Sequence, residues 1–137
     1  MDYAKRDFYK INKISPKAGK QRKRYTDMKI DFNEIQEIAN PQFKGGEGDT
    51  MFRTYNDGQN KIMRGRLDPG CSIGLHSHET NSEIIYILSG EARCLYDDGE
   101  ERLVPGQCHY CPKGHSHSLI NASATEPLTF FAIVPEQ

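Results

Sequence analysis

After residue 50 the chain consists of short runs in which apolar and polar residues alternate. Alternation with a period of two buries one face of a strand, and runs rich in β-branched and aromatic residues favour strands over helices. Nine strands are predicted, at residues 51–55, 61–67, 71–77, 83–88, 92–96, 101–104, 107–111, 116–121 and 128–134. Turn sequences at 56–59 and 97–99 predict tight hairpins. Such regular spacing, about 8–12 residues, is typical of an all-β sandwich or barrel.

Only one stretch favours a helix. Residues 32–38 are predicted to form one or two helical turns, with Asn33 as the N-cap. The 12 glycines and 7 prolines lie mostly after residue 40. Turn-forming residues at such frequent intervals favour many short strands over a few long helices.

The last predicted strand, residues 128–134, is apolar on both faces. Leu128, Phe130 and two further residues point to one side, while Phe131 and Ile133 point to the other. In water, Phe131 and Ile133 would form an apolar patch that soluble monomers rarely keep. We therefore expect a homodimer built partly on this strand. The alternative is that the N-terminal segment of the same chain covers its outer side.

Charge separates the chain into two parts. The 137 residues suffice for one compact domain, and the net charge is −1. Residues 1–30 contain ten Lys or Arg and three Asp, a net of +7, whereas residues 31–137 have a net of −8. Residues 1–24 also lack helical or strand periodicity. The sequence predicts a basic, loosely ordered N-terminal arm at residues 1–24 and one domain at residues 25–137.

The arm lacks the amphipathic pattern and interleaved aromatic residues of a nucleic-acid-binding segment, so no nucleic-acid partner is expected. We expect it to lie solvated on the acidic domain or on a partner subunit. The charged N-terminus has no apolar signal region, and no apolar run approaches the ~18 residues that span a bilayer. These features predict a cytoplasmic protein without a membrane partner. Its four cysteines are expected to be reduced.

All five histidines fall between residues 76 and 117. His76 and His78 are two apart, so on a strand both point to one face. If that face is the barrel interior, Glu83 and His117 could approach the same point from other strands. Three imidazoles and a carboxylate suit a divalent transition metal. Spacing alone leaves open the alternative that these are solvated or hydrogen-bonded core histidines.

The histidines lie within two spaced motifs, Gly70-x5-His76-x-His78-x4-Glu83-x6-Gly90 and Gly106-x5-Pro112-x-Gly114-x2-His117-x3-Asn121. They match the two conserved motifs of the cupin superfamily at every fixed position, so the chain resembles a small single-domain cupin. The resemblance implies a double-stranded β-helix, or jelly roll. It also implies one divalent ion per chain, held by His76, His78, Glu83 and His117. The four glycines fall where the chain must reverse and a positive φ is often required.

The identity of the ion stays open among Mn, Fe, Ni, Cu, Co and Zn. Members of this superfamily include dioxygenases, isomerases, decarboxylases, lyases and binding proteins, so the fold does not give the reaction. We expect a metalloenzyme of the oxygenase, isomerase or lyase kind that acts on a small oxygen-rich or anionic metabolite. Glu83 is then the candidate catalytic proton-transfer group. The alternative is a non-catalytic module that binds or senses a metabolite.

Other residues are weaker candidates. Cys108 and Cys111 have redox-like spacing, but residues three apart on a strand point to opposite faces. His109 and His115 could reach a ligand at the barrel mouth, although a solvated or structural role is favoured. Two tyrosines could line a pocket, although packing in an aromatic core is favoured; they are Tyr86 and Tyr110.

Overall fold

The computed structural model describes residues 28–137, which form an all-β fold with two short 3-10 helices, Phe32–Glu34 and Phe43–Gly45. The strands are β1 Ile38–Pro41, β2 Asp49–Asn56, β3 Asn60–Leu67, β4 Ser72–Ser77, β5 Glu83–Ser89, β6 Ala92–Tyr96, β7 Gly99–Leu103, β8 Cys108–Cys111, β9 Ser116–Asn121 and β10 Leu128–Pro135. All nine predicted strands are present. The predicted arm and the boundary at residue 24 lie outside the described residues and stay predictions.

The strands form two antiparallel sheets that face each other as a jelly roll. The larger sheet has the order β1-β2-β3-β10-β5-β8, and the smaller has the order β4-β9-β6-β7. Consecutive strands often belong to different sheets, so β4, β5 and β9 approach one interior space from both sides. This crossing brings residues far apart in sequence to a common centre.

One apolar core lies between the sheets. Four large side chains in it have no exposed surface: Leu67, Ile87, Leu128 and Phe130. Phe130 packs against Gly65 on the neighbouring strand, where a methyl group would overlap its ring. Burial of each large apolar side chain stabilises the fold by about 1.5–3 kcal/mol. These residues belong to the larger sheet and share the core with Ala92 and Leu119 of the smaller sheet, at the end of the barrel away from the histidines.

The N-terminal part of the fold differs from the prediction. Residues 32–38 form only a three-residue 3-10 helix, and its N-cap is Asp31, whose side chain accepts a hydrogen bond from the Asn33 N–H at 3.0 Å. Asn33 therefore lies inside the helix. The chain then enters β1, which the sequence did not predict. This strand is short and lies at the sheet edge, where a terminal proline such as Pro41 is tolerated.

The turn glycines behave as the sequence predicts. Four of them have positive φ values between 86° and 93°, namely Gly70, Gly90, Gly106 and Gly114. At Gly90 a side chain would also overlap the backbone of Pro127 and Leu128. The turns between strands are therefore set at the positions that the two motifs fix.

Candidate metal centre

The four predicted ligands meet at one end of the barrel. His76 lies on β4, His78 directly follows β4, Glu83 begins β5 and His117 lies on β9. The Nε2 atoms of His78 and His117 are 3.0 Å apart, and each lies 3.1 Å from Oε1 of Glu83. Nε2 of His76 lies 4.0 Å from the same oxygen. One ligand atom from each residue falls within 4.8 Å of every other.

A β-bulge in β4 allows His76 to reach this centre. Ile73 is buried in the core, and strict alternation from Ile73 would point His76 outwards. The register between β4 and β9 shifts between these two residues, so His76 pairs with His117 and faces inwards. Leu75, within the bulge, is displaced to the surface and is 58% exposed. Bulges often re-aim a side chain in this way.

A turn between β8 and β9 fixes the backbone of His78. The Gly114 N–H donates to the His78 carbonyl at 2.6 Å, and the His78 N–H donates to the His115 carbonyl at 3.0 Å. Gly114 has a φ of 91°, a conformation that L side chains rarely adopt. The second motif therefore holds a ligand of the first motif in place through its backbone.

The hydrogen bonds around His76 and His78 define their tautomers. Nδ1 of His76 lies 2.8 Å from the Gly74 carbonyl, which only accepts, so this nitrogen carries the proton. Nδ1 of His78 lies 2.6 Å from Oδ1 of Asn81. The Asn81 amide nitrogen donates to Glu136 at 2.7 Å, which orients the amide oxygen towards His78. In both neutral histidines Nε2 therefore has a free lone pair directed at the centre.

His117 is held from the opposite side. Its Nδ1 lies 3.1 Å from Nε2 of His109, and Nδ1 of His109 lies 3.0 Å from a carboxylate oxygen of Glu101. The carboxylate accepts from His109, so Nε2 of a neutral His109 accepts the Nδ1 proton of His117. Burial, the largest influence on His109, lowers its pKa. His117 therefore also directs a free Nε2 lone pair at the centre.

This set of atoms fits a metal ion. In the tautomers described, three imidazole nitrogens and one carboxylate oxygen are all acceptors, and the contacts of 3.0–3.1 Å among His78, His117 and Glu83 need a proton or a metal ion between the atoms. Imidazole with carboxylate accommodates several first-row divalent metals. Surrounding groups that fix the tautomer of each ligand are typical of metal sites in proteins.

The electrostatics of the ligands depend on one another. Burial raises the pKa of Glu83, but hydrogen bonds that His117 and His78 donate when Nε2 carries a proton outweigh it and lower the pKa to about 2. The hydrogen bond with Glu83 raises the pKa of His78. Burial lowers the pKa of His76. The metal-free centre therefore contains an ionised Glu83 at neutral pH.

A cavity of about 400 Å³ lies against His76, His78 and Glu83. One wall is apolar and comes from the two sheets, through Phe52, Met63, Ile73 and Val134. The rim includes two lysines and one glutamate, which are Lys44, Lys61 and Glu79. Within the described chain, no carboxylate oxygen approaches either lysine nitrogen within 4 Å.

Lys44 is fixed at this rim by close backbone packing. The 3-10 helix Phe43–Gly45 rests on β4, and a methyl group at Gly74 would overlap the Lys44 carbonyl. Lys44 has a φ of 56°, and its ammonium group lies 5.5 Å from the centre of the Phe43 ring. The loop therefore places a positive charge over the cavity.

The weaker candidates lie elsewhere. Cys108 is exposed and Cys111 is buried, which confirms that they point to opposite faces; all four cysteines are free. His115 stacks on the ring of Tyr96 and contacts Asp97 at 2.8 Å, outside the ligand cluster. His109 is buried and contacts the ligand His117 directly, so it is not the solvated residue that the sequence also allowed.

The expectation for the two tyrosines was wrong. Tyr86 and Tyr110 are 44% and 54% exposed and do not line the cavity. On β5 the inward residues are Glu83, Ile85 and Ile87, so Tyr86 points outwards. Tyr110 points outwards on β8 because its neighbours His109 and Cys111 point inwards. Both belong to the outer surface of the larger sheet.

Sequence reasoning missed Asn81, Glu101, Lys44 and Lys61. Their positions relative to the ligands depend on loops and cross-strand pairing that no local pattern encodes. One signal was available for Glu101, because the predicted hairpin at 97–99 places it opposite Cys94.

Within residues 28–137, no helix is long and apolar enough to cross a bilayer.

Comparison with known proteins agrees with this geometry. An oxalate-binding protein from Thermotoga maritima is 31% identical over 116 residues, which cover 80% of this chain and 94% of the relative. The crystal structure of a predicted oxalate decarboxylase from the same organism has a TM-score of 0.75 and 28% identity, covering 80% of this chain and 100% of that chain.

A sugar phosphate isomerase of the cupin superfamily from Silicibacter pomeroyi has a TM-score of 0.65 and 25% identity, and the match covers 80% of this chain and 76% of that chain. The family model for the cupin domain matches residues 63–134, which contain all four candidate ligands and the whole of β4, β5 and β9. With its jelly-roll sheets and its cluster of three histidines and one glutamate, this chain belongs to the cupin family.

Proposed function

We propose that this protein is a metal-dependent cupin that binds a small, oxygen-rich anion at a centre of His76, His78, Glu83 and His117. The observation that carries this proposal is the common orientation of the three imidazoles. In its neutral form each directs the Nε2 lone pair towards Glu83, and the arrangement borders a cavity. A ligand site that borders a cavity leaves room for a further ligand, as in catalytic rather than closed structural metal sites.

The charges around the cavity support an anionic ligand. The ammonium groups of Lys44 and Lys61 and a divalent ion, set against the carboxylates of Glu79 and Glu83, leave a net charge of +2. A compact dianion compensates this charge. Its oxygen atoms would occupy the open side of the metal, while a lysine of the rim pairs with its outer end.

The relatives support the same class of ligand. One is an oxalate-binding protein and another a sugar phosphate isomerase, so both names concern small anions rich in oxygen. Oxalate and a sugar phosphate differ in size, and both are small compared with a cavity of about 400 Å³. They are therefore the first two ligands to compare.

The enzymatic form of the proposal gives Glu83 a second role. A bound divalent ion supplies Lewis-acid chemistry or activates water or dioxygen. Glu83 is buried beside the cavity and ionised at neutral pH, so its carboxylate can accept a proton from a ligand held there. In the non-catalytic alternative the same residues hold the ligand and Glu83 stays a ligand of the metal.

Calorimetric titration of the metal-loaded, full-length protein tests the proposal. Oxalate and a sugar phosphate are compared with propionate, which has one carboxylate and an apolar tail. We expect a dianion to bind at least tenfold more tightly than propionate. Lys61→Gln should weaken that binding several-fold, whereas Lys29→Gln, an exposed lysine away from the cavity, should leave it unchanged.

Equal binding of all three compounds, or no bound metal in the purified protein, would refute the proposal. Product formation followed by NMR separates its two forms. If a bound dianion is converted and Glu83→Gln abolishes conversion while binding persists, the protein is an enzyme with Glu83 as its proton-transfer group. Binding without conversion favours the sensing module.

We also propose a homodimer, built on the outer surface of the larger sheet. Phe32 lies edge-on against Phe131, with ring centroids 6.1 Å apart, so residues of the same chain cover part of this face. Tyr86, Leu88 and Tyr110 remain more than 40% exposed beside it. An apolar surface of this kind is typical of a protein interface. The interface would therefore lie nearer β5 and β8 than the sequence suggested.

A further inference from the structure

A buried histidine outside the ligand set links the centre to the protein surface. His109 lies on β8 of the larger sheet and is 2% exposed. Its ring spans the interior to His117 on β9 of the smaller sheet and to Glu101 on β7, which is exposed at the sheet edge. Tyr96 packs edge-on against the His109 ring, with centroids 5.4 Å apart. The ring therefore has one defined position.

The two hydrogen bonds of His109 are directional. Glu101 can only accept, so Nδ1 of His109 is the donor at 3.0 Å. Nε2 of the neutral ring is then an acceptor, and its partner at 3.1 Å, Nδ1 of His117, must donate. An imidazole that donates from Nδ1 has its lone pair on Nε2. The hydrogen bonds thus run in one series from the surface carboxylate of Glu101 through His109 to the ligand His117.

We propose that His109, oriented by Glu101, is a positioning residue that holds His117 in its Nδ1–H tautomer and so keeps Nε2 of His117 available to the metal. The inference rests on the proposed metal-binding function and extends it to residues that are not fixed positions of either motif. His76 and His78 obtain the same orientation from a carbonyl and an amide oxygen. Only at His117 is this task performed by another titratable ring.

A second metal site is the competing interpretation of these residues. Cys94, His109 and His117 also place ligand atoms within 4.8 Å of one another. The short contact between His109 and His117 is that of a direct hydrogen bond, and it leaves no room for an ion between the rings. Burial raises the pKa of the Cys94 thiol to about 12, so the thiolate that a metal requires is disfavoured.

The test uses the full-length chain and five variants, of which Cys94→Ser examines the competing second metal site. His109→Leu removes the acceptor for His117, whereas His109→Gln offers an amide oxygen in its place. Glu101→Leu removes the orienting carboxylate at the surface, where the fold tolerates change. Glu100→Leu is the matched control, because Glu100 is an adjacent exposed carboxylate that pairs with Arg93 instead.

Two measurements are made on each variant. Zn(II) affinity is obtained by competition with a chelator, and the tautomer of His117 in the metal-free protein is obtained from two-bond proton–nitrogen NMR correlations. We expect His109→Leu to weaken Zn(II) binding about 10–100-fold and to give His117 a mixture of tautomers. His109→Gln should restore most of the affinity and the single tautomer. Glu101→Leu should show a smaller effect in the same direction, and Glu100→Leu none.

Wild-type affinity and an unchanged tautomer in His109→Leu would overturn the proposal, as would loss of a second equivalent of Zn(II) in Cys94→Ser. If His109→Leu does not fold, Glu101→Leu decides, because an unaltered tautomer in that variant contradicts orientation by Glu101. The tautomer is measured without metal. A wild-type protein with the Nδ1–H tautomer and no affinity for metals would therefore refute the proposed function alone.

Discussion

The two ends of the barrel are built on the same strands, but the side chains that face the interior differ in polarity between them. At the ligand end, defined by His76, His78, Glu83 and His117, the interior is polar and borders a cavity. At the packed end, defined by Leu67, Ile87, Leu128 and Phe130, it is apolar and completely buried. The interior changes from polar to apolar within single strands. On β5 the inward-facing residues are Glu83 at the ligand end and then Ile85 and Ile87.

This division separates stability from chemistry. Burial of apolar side chains at the packed end supplies the free energy of folding. The ligand end places four acceptor atoms close together and leaves a cavity open, so it contributes little apolar burial and is suited to hold a cation. The strands can carry both because the packed end fixes their positions. Substitutions at the packed end should therefore lower the free energy of unfolding, whereas substitutions at the ligand end should lower metal affinity.

The largest effect is expected from Phe130→Ala at the packed end. Phe130 is completely buried and lies edge-on to Phe52, so truncation leaves a cavity that the rigid sheets cannot close. The free energy of unfolding should fall by about 3–5 kcal/mol. Urea unfolding measures this loss. Leu75→Ala, at an exposed position, should change it by less than about 0.5 kcal/mol. Similar losses in the two variants would contradict the assignment of the core.

At the ligand end the expected effect is on metal and not on folding. His76→Ala removes one of four ligands from a side chain that is not fully buried, and metal affinity should fall by more than about 100-fold. The far-UV spectrum should stay that of the wild type. Metal analysis of the purified protein measures occupancy, with His115→Ala as the control outside the cluster. Full occupancy after His76→Ala and His117→Ala together would refute this centre.

Acid should act on the ligand end before the packed end. Metal binding requires neutral imidazoles, so protons compete with the metal as the pH falls. His78, whose pKa is raised by its hydrogen bond with Glu83, protonates first; His76, whose pKa burial lowers, follows. Affinity should therefore fall as the pH is lowered through the range in which imidazoles titrate, by about tenfold per pH unit for each proton displaced. A constant affinity between pH 5 and 8, measured by competition, would exclude ligation by histidine.

The smallest effect on the barrel itself is expected from Phe131→Asp on the outer surface. Phe131 follows Phe130 on β10, so its side chain lies on the outer face of the larger sheet and not in the interior. The change should leave metal binding intact and convert a dimer into monomers, since a two-fold interface loses the contact twice. Light scattering measures the mass. A wild-type mass of one chain, 15.6 kDa, would refute the dimer, and a dimer that persists in Phe131→Asp would place the interface elsewhere.

Much of the fold could be predicted because strands leave a local pattern. Alternation of apolar and polar residues identified nine of the ten strands, and the glycine turns divided them correctly. The missing strand, β1, contains Asn40 and Pro41 and forms only through pairing with β2. Local propensity was also misleading at residues 32–38, where Arg53 binds the carbonyls of Phe32 and Ile35 and fixes a short 3-10 turn.

The ligand set could be predicted because the two motifs resemble those of the cupin superfamily, and that resemblance implies these four ligands. The surroundings of the ligands could not, since each depends on a distant strand. His109 reaches His117 only because β8 and β9 lie in opposite sheets. Asn81 presents its oxygen to His78 only because Glu136, 55 residues later, holds its amide. The exposure of Tyr86 and Tyr110 likewise depends on the register between β5 and β8, which sets the face of the sheet on which each residue lies.

By itself, the sequence predicted an all-β sandwich or barrel, and the resemblance of its two motifs to those of cupins implied a jelly roll and the four side chains that could hold a metal. Period-two alternation, turn glycines and motif spacing are local properties, and they survive in any register that buries the apolar face. Only the tertiary structure decided that His76 turns inwards at a bulge, that every imidazole presents Nε2, and that two lysines stand over the cavity. These features arise from contacts between strands far apart in the chain, and such contacts exist only after the sheets have packed.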